Sequence, residues 1–170
     1  GRYLKEQNPD VQIVVADPEG SVYSGGSGRP YLVEGVGEDF WPDTYVPEVV
    51  DLTIPISDAA SFSMARRVTR EEGILIGGSG GTAVAAAHEL ASGLSSDSMV
   101  VVLLPDTGRG YLSKVFNESW MATMGFVRSE GLIVADLLEA AGGDLPDLIY
   151  LEPGDSVREA VLTMRKFGVS

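Results

Sequence analysis

The run Ile74-Leu75-Ile76-Gly77-Gly78-Ser79-Gly80-Gly81-Thr82-Ala83-Val84-Ala85-Ala86-Ala87 constrains this chain more than any other. A short apolar stretch meets a glycine-rich turn, and the turn opens into a stretch of small residues. The pattern predicts a strand, a loop and a helix in that order. Such a junction gathers backbone N–H groups and the Ser79 hydroxyl at one point. Glycine lets a bound group come close to the backbone, and a helix N-terminus offers unpaired donors and a partial positive charge. Junctions of this kind hold ligands at the carboxyl ends of parallel strands.

Composition narrows the partners. With 25 acidic and 12 basic residues among 170, the net charge is −13, which repels phosphate backbones and argues against nucleic acid. There is no cysteine, so disulfides, thiolate zinc sites and a cysteine nucleophile are excluded. A single histidine, His88, leaves no multi-histidine metal site, so no metal is expected. The absence of cysteine fits a cytoplasmic protein, which is the expected location; no apolar stretch is long enough to span a bilayer and no signal peptide is recognisable, so no membrane partner is expected. The hydrophobic fraction of 44% suffices for one ordinary core.

The pattern predicts a helix over 2–8 closed by Pro9, and a buried strand over 11–16. Residues 24–30 read as an exposed loop, and 49–56 as a strand that Pro55 places at an edge or an end. Ser57 or Asp58 caps a helix that runs to about Glu72 and stops at Gly73. A strand follows at 74–76, a helix at 82–91, and a wholly apolar strand at 99–104 of the kind found centrally in parallel sheets. Helix follows strand three times, so the class is α/β with a mainly parallel sheet. Beyond Gly125 come a connector, a short amphipathic helix at 133–141, a strand at 148–151 and an amphipathic helix at 157–167. The expected organisation is a domain over 1–125, a linker over 126–145 and the start of a second domain over 146–170. Both chain ends read as cut, which implies a longer polypeptide.

Three segments together carry a family resemblance: Val33-Glu34-Gly35-Val36-Gly37, the 77–81 loop, and Leu104-Pro105-Asp106 followed by Gly110-Tyr111-Leu112-Ser113-Lys114. In order and spacing they resemble the pyridoxal-phosphate enzymes of the cysteine synthase and cystathionine β-synthase group, the fold type II or β-family. Asp17-Pro18-Glu19-Gly20-Ser21 and Phe116-Asn117-Glu118-Ser119-Trp120-Met121 resemble its cystathionine β-synthase branch. Residues 1–125 are similar to the carboxyl half of that catalytic core, a three-layer α/β fold. Pro153 to Ala160, with Met164 and 167–170, are similar to the opening of a CBS (Bateman) regulatory repeat.

The resemblance implies pyridoxal 5′-phosphate as cofactor and β-replacement on serine with homocysteine, giving cystathionine. It implies that Ser79 bonds the cofactor's pyridine nitrogen, whereas the local sequence alone equally allows a helix cap. Gly35, Gly37 and Gly77 would border the cofactor, and Gly35, Val36 and Tyr111 the substrate. Asp106 either touches the pocket beside Ser79 or caps the next turn. Two positions depart from the family pattern: Glu38 stands where many relatives have tyrosine, and Gly80 where serine or alanine is common. No catalytic residue is expected in this chain, because the Schiff-base lysine and the phosphate loop belong upstream of Gly1; Lys5, Lys114 and Lys166 read as surface lysines. Trp41, Trp120 and Phe126 read as packing or subunit-contact residues. The resemblance further implies a homodimer or homotetramer, and S-adenosylmethionine as a ligand of the regulatory module.

Two other readings remain at this point: a cysteine synthase that uses O-acetylserine or O-phosphoserine with sulfide, and a non-catalytic ligand-binding or regulatory protein. The resemblance predicts that the isolated chain catalyses no β-replacement. Incubation with cofactor, serine and homocysteine should yield no cystathionine by mass spectrometry, and turnover by the isolated chain would contradict the expectation.

Overall fold

A computed structural model describes residues 1–127 and 150–168. The chain forms two compact units, Gly1–Ser129 and Glu130–Ser170. In the first, helix α1 (Arg2–Gln7) ends before Pro9, and strand β1 (Val14–Pro18) pairs in parallel with strand β2 (Leu52–Ile56). Val14 lies opposite Leu52 and Pro18 opposite Ile56, so Pro55 stands within a parallel pair whose outer side carries no strand among the described residues. β1 starts at Val14 rather than Val11. The backbone before it is engaged elsewhere: Lys5 Nζ donates to the Val11 carbonyl at 3.2 Å, and Ile13 N–H donates to the Asp51 carboxylate at 2.6 Å. That bond, and then the Lys5 ammonium, hold the Asp51 carboxyl below its ordinary pKa.

Helix α2 (Asp58–Glu72) follows β2 directly. The Ser57 hydroxyl caps it by accepting from Ala60 N–H at 3.2 Å, and Gly73 closes it at φ 69°. Its inward face of Ser61, Phe62 and Ala65 meets helix α3 (Gly78–Ala91). α3 begins earlier than the pattern predicts. Gly78 to Gly81, expected as a loop, form its first turn, with Gly77 as the residue before it. Glycine is a poor helix former, and packing overrides that preference here. A Cβ on Gly81 would collide with the Ser61 carbonyl oxygen and sit 2.9 Å from Ala65 Cβ. Thr82 Oγ1 donates to Ser61 Oγ at 2.8 Å across the same contact.

Two expected strands are absent from the described residues. Residues 74–76 make one antiparallel bridge, Ile76 to Thr107, and no ladder. The 99–104 segment pairs with nothing described, and Met99, Val101 and Leu103 are 89%, 85% and 81% exposed. Apolar side chains give a segment strand potential, but a strand exists only when a neighbour takes its backbone bonds. The α/β class with parallel pairing holds, on β1 and β2.

The core has two parts. One gathers Val33, Phe62, Ala65, Ile76, Val115 and Met121, with Trp120 and Phe126 edge-on to Phe62. The other lies between the β pair and α3, around Ile54, Ile56 and Ala86. Helix α4 (Glu118–Thr123), capped by the Asn117 side chain at Trp120 N–H, carries Met121 into the first. In the second unit the described residues include the helix Val157–Phe167. The Ser156 hydroxyl and Glu159 carboxylate cap its start reciprocally, and Gly168 ends it at φ 66°. These bonds from Ser156 hold the Glu159 carboxyl below its ordinary pKa. The helix expected at 133–141, most of the connector and Leu148-Ile149 lie outside the described residues.

Gly81→Ala should destabilise the chain by about 1–3 kcal/mol, since the added methyl is opposed by backbone that cannot swing away. Urea unfolding followed by circular dichroism checks this; an unchanged midpoint would mean that α2 and α3 can separate at little cost.

Candidate functional site

The site is organised by the start of α3. Gly77 provides no side-chain cap, and the first turn carries no acidic residue. Yet Gly78 to Gly81 are all buried, and the first bond of the helix runs from Gly81 N–H to the Gly77 carbonyl at 3.1 Å, which leaves the N–H groups before it without a helical partner. Ser79 is 5% exposed, and its hydroxyl makes no hydrogen bond among the described residues. Across from it lies Gly35, at φ 79°, where a Cβ would meet only Ser79 Oγ, at 4.0 Å. An open backbone face thus stands opposite a nearly buried, unpartnered hydroxyl.

Asp106 and Tyr111 flank this opening. A Cβ on Gly77 would collide with Asp106 Oδ1 and lie 2.8 Å from Tyr111 Cε2, so the glycine makes room for both side chains. Tyr111 Oη donates to Asp106 Oδ2 at 2.7 Å. That bond, then burial, pushes the phenol up to about 12 from 10.0. Asp106 therefore accepts from Tyr111, which fixes its carboxylate beside the start of α3. Lys114 forms an ion pair with Glu34, the residue before Gly35.

The segment 32–38 is held at several points. Asp58, at the start of α2, accepts from Leu32 N–H at 2.8 Å and from Val33 N–H at 2.9 Å. The Val36 side chain packs on the first core, leaving its backbone as the part available to a ligand. Gly37 adopts φ 76°, and a Cβ there would collide with the Pro18 ring and lie 2.8 Å from the Tyr31 hydroxyl. Its smallness is thus required by protein packing, whatever binds beside it. Glu38 N–H donates to Ser21 Oγ at 3.1 Å. Sequence reasoning missed the anchoring roles of Asp58, Ser21 and Lys114, because each acts across 17 to 80 residues of chain.

Lys5 pairs with Asp51, Lys114 with Glu34, and Lys166 lies 5.0 Å from the Phe167 ring centre, so each lysine has a surface partner. His88 is exposed, and the described residues hold no cluster of metal-binding side chains. Trp41 packs edge-on against Tyr45, whose ring stacks on Tyr23 at 4.3 Å, and Trp41 itself stays 56% exposed. No helix among the described residues is long and apolar enough to cross a membrane.

A glycine-rich helix start with a free hydroxyl and a facing glycine turn are features of a cofactor-dependent α/β enzyme. The chain belongs to the pyridoxal-phosphate dependent enzyme family, whose model matches residues 1–106. It is 40% identical over 133 residues to cystathionine beta-synthase of Apis mellifera, covering 75% of this chain and 26% of that protein. The rabbit (Oryctolagus cuniculus) cystathionine beta-synthase is 40% identical over 139 residues, 78% of this chain and 25% of that protein. The chain thus spans about a quarter of these relatives' length. Among solved structures, an O-acetylserine dependent cystathionine beta-synthase from Helicobacter pylori superposes with TM-score 0.63 at 38% identity, over 66% of this chain and 37% of that one. An O-ureido-L-serine synthase superposes with TM-score 0.66 at 28% identity, over 80% and 41%.

The residues present fit the cofactor of this family. A planar ring needs a face free of side chains, which Gly35 leaves open, and a ring nitrogen needs a donor, which the unpartnered Ser79 hydroxyl can supply.

Because the folded-state pKa of Tyr111 lies above its ordinary 10.0, its bond to Asp106 stabilises the fold fully below pH 10 and is lost as the pH rises through about 12. Burial also raises Tyr23 and Tyr31, so ultraviolet titration of the wild type against Tyr111→Phe should show that the variant lacks a phenol ionising near pH 12. A Tyr111 ionisation at an ordinary pH would mean that the bond to Asp106 is not kept in solution.

Proposed function

We propose that this chain forms the carboxyl part of the active site of an enzyme catalysing β-replacement on serine with homocysteine to give cystathionine. The observation that carries the reading is the nearly buried, unpartnered Ser79 hydroxyl facing the open side of Gly35. Pyridoxal phosphate, when bound, supplies the electron sink for loss of the β-substituent. Ser79 would hold the ring nitrogen through an uncharged hydroxyl, which cannot stabilise a positive charge there as a carboxylate would. Gly35 and the Val36 backbone would border the amino-acid substrate. Gly77 makes room for Asp106, and Tyr111 keeps the Asp106 carboxylate directed at the edge of the site. The buried start of α3 would keep water from that side of the site.

The names of the relatives support homocysteine as acceptor. The Helicobacter pylori neighbour, described as O-acetylserine dependent, supports a second reading in which the donor is an activated serine. The same proposal makes residues 146–170 the opening of a CBS regulatory repeat that takes S-adenosylmethionine. It makes the intact protein a cytoplasmic homodimer or homotetramer.

With the intact polypeptide that carries these residues, serine plus homocysteine should give cystathionine faster than O-acetylserine plus sulfide gives cysteine. The reverse order favours the second reading, and failure of both pairs, with no visible cofactor absorbance, removes the enzyme. Ser79→Ala should weaken cofactor binding by about tenfold or less, the worth of one hydrogen bond; equilibrium titration of the apoprotein measures it.

A further inference from the structure

The end of β1 and the turn that follows it contain two wholly buried polar side chains, Asp17 in the strand and Ser21 in the turn, both 0% exposed. Neither borders the opening between Gly35 and Ser79. Ser21 Oγ accepts from Glu38 N–H at 3.1 Å and from Tyr23 N–H at 3.4 Å. The contact is returned by the backbone, as Val22 N–H donates to the Glu38 carbonyl at 2.9 Å. Pro18 fills the space left by Gly37, and Asp17 Oδ2 accepts from Ser24 N–H at 2.9 Å, which holds the turn closed from inside. Burying a hydroxyl is costly unless it is bonded, and this one is bonded to the far end of the 35–38 turn. The near end is tied by Asp58. Gly35, opposite Ser79, sits between the two anchors.

We propose that Ser21 is a positioning residue for substrate binding: its buried hydroxyl fixes the 35–38 turn at the distance from Ser79 that the amino-acid substrate requires. It acts through the Glu38 amide and touches no ligand. This rests on the reading that the turn borders the substrate. Val36 packs on the first core and Gly37 against Pro18, while Gly35 has no side chain to hold it, so the bonds at the turn's ends complete its placement. Loss of the Ser21 acceptor orphans the Glu38 amide and leaves the turn's carboxyl end held by the single backbone bond from Val22 N–H, which loosens it. Asp17 retains one buried carboxylate oxygen with no partner among the described residues, which marks the whole turn as built at some energetic cost.

The test uses Ser21→Ala and Ser21→Cys in the intact polypeptide; the second keeps the volume but is a weak acceptor. Amide hydrogen exchange of peptides spanning 35–38 should be about tenfold faster in both variants, with α2 and α3 unchanged. The KM for the amino-acid substrate should rise by up to about tenfold, with kcat and the cofactor absorbance nearly constant. Unchanged exchange at 35–38, or faster exchange everywhere with loss of cofactor, overturns the proposal. So does a wild-type phenotype for Ser21→Cys, which would make packing the cause. Faster local exchange with an unchanged KM overturns the substrate role while leaving the anchor. A wild-type protein with no cofactor absorbance instead defeats the functional reading on which the proposal rests.

Discussion

The structure depends on how closely α2 and α3 approach at Gly81. With no Cβ there, the Ser61 carbonyl and Ala65 meet the α3 backbone directly. That contact draws the glycine-rich segment into a helix it would not form alone, since glycine carries the largest backbone entropy cost of any residue. Once α3 is seated, Gly78 lies against Val33 and Phe62, and Ser79 is held in a nearly buried place with no side-chain cap ahead of it. The second core, between α3 and the β pair, then follows from the small side chains farther along the same helix.

The site has a division of labour. The start of α3 is rigid because both of its sides are packed. The facing turn at 35–38 is glycine-rich and keeps its place by hydrogen bonds at its ends, from Asp58 and from Ser21. A rigid wall opposite a tethered turn suits a flat ligand, because the wall sets orientation while the tethers set the gap. Asp106 and Glu34, at the edge, are each restrained by a neighbour, Tyr111 and Lys114 respectively. The acidic groups at the opening are thereby fixed in direction without being buried, which avoids the desolvation cost of a fully enclosed carboxylate.

Much of the helical structure was legible because its signals are local. Ser57 and Gly73 bracket α2, Pro9 follows α1, and Ser156 with Glu159 opens the last helix. Each end is decided by residues within one turn of chain. Strands were read less well. Residues 99–104 have the composition of a central strand, but strand formation is settled by a partner segment rather than by composition. The β1 start was misplaced because Asp51 and Lys5 occupy the backbone of 11–13 from elsewhere in the chain.

By itself the sequence determined the class, the family and both ends of α2, and it singled out Ser79 in the glycine-rich run. Those depend on periodicity, capping and motif order, all of which are written within short stretches. Only the tertiary structure decided that the 77–81 glycines are helix rather than loop, and that Gly37 answers to Pro18 while Gly35 faces Ser79. It alone showed that Ser21 and Asp58 tie down the facing turn. The reason is physical: a glycine's purpose lies in what would occupy its missing side chain. A buried hydroxyl's purpose lies in which distant amide it accepts from, and neither is recorded in neighbouring residues.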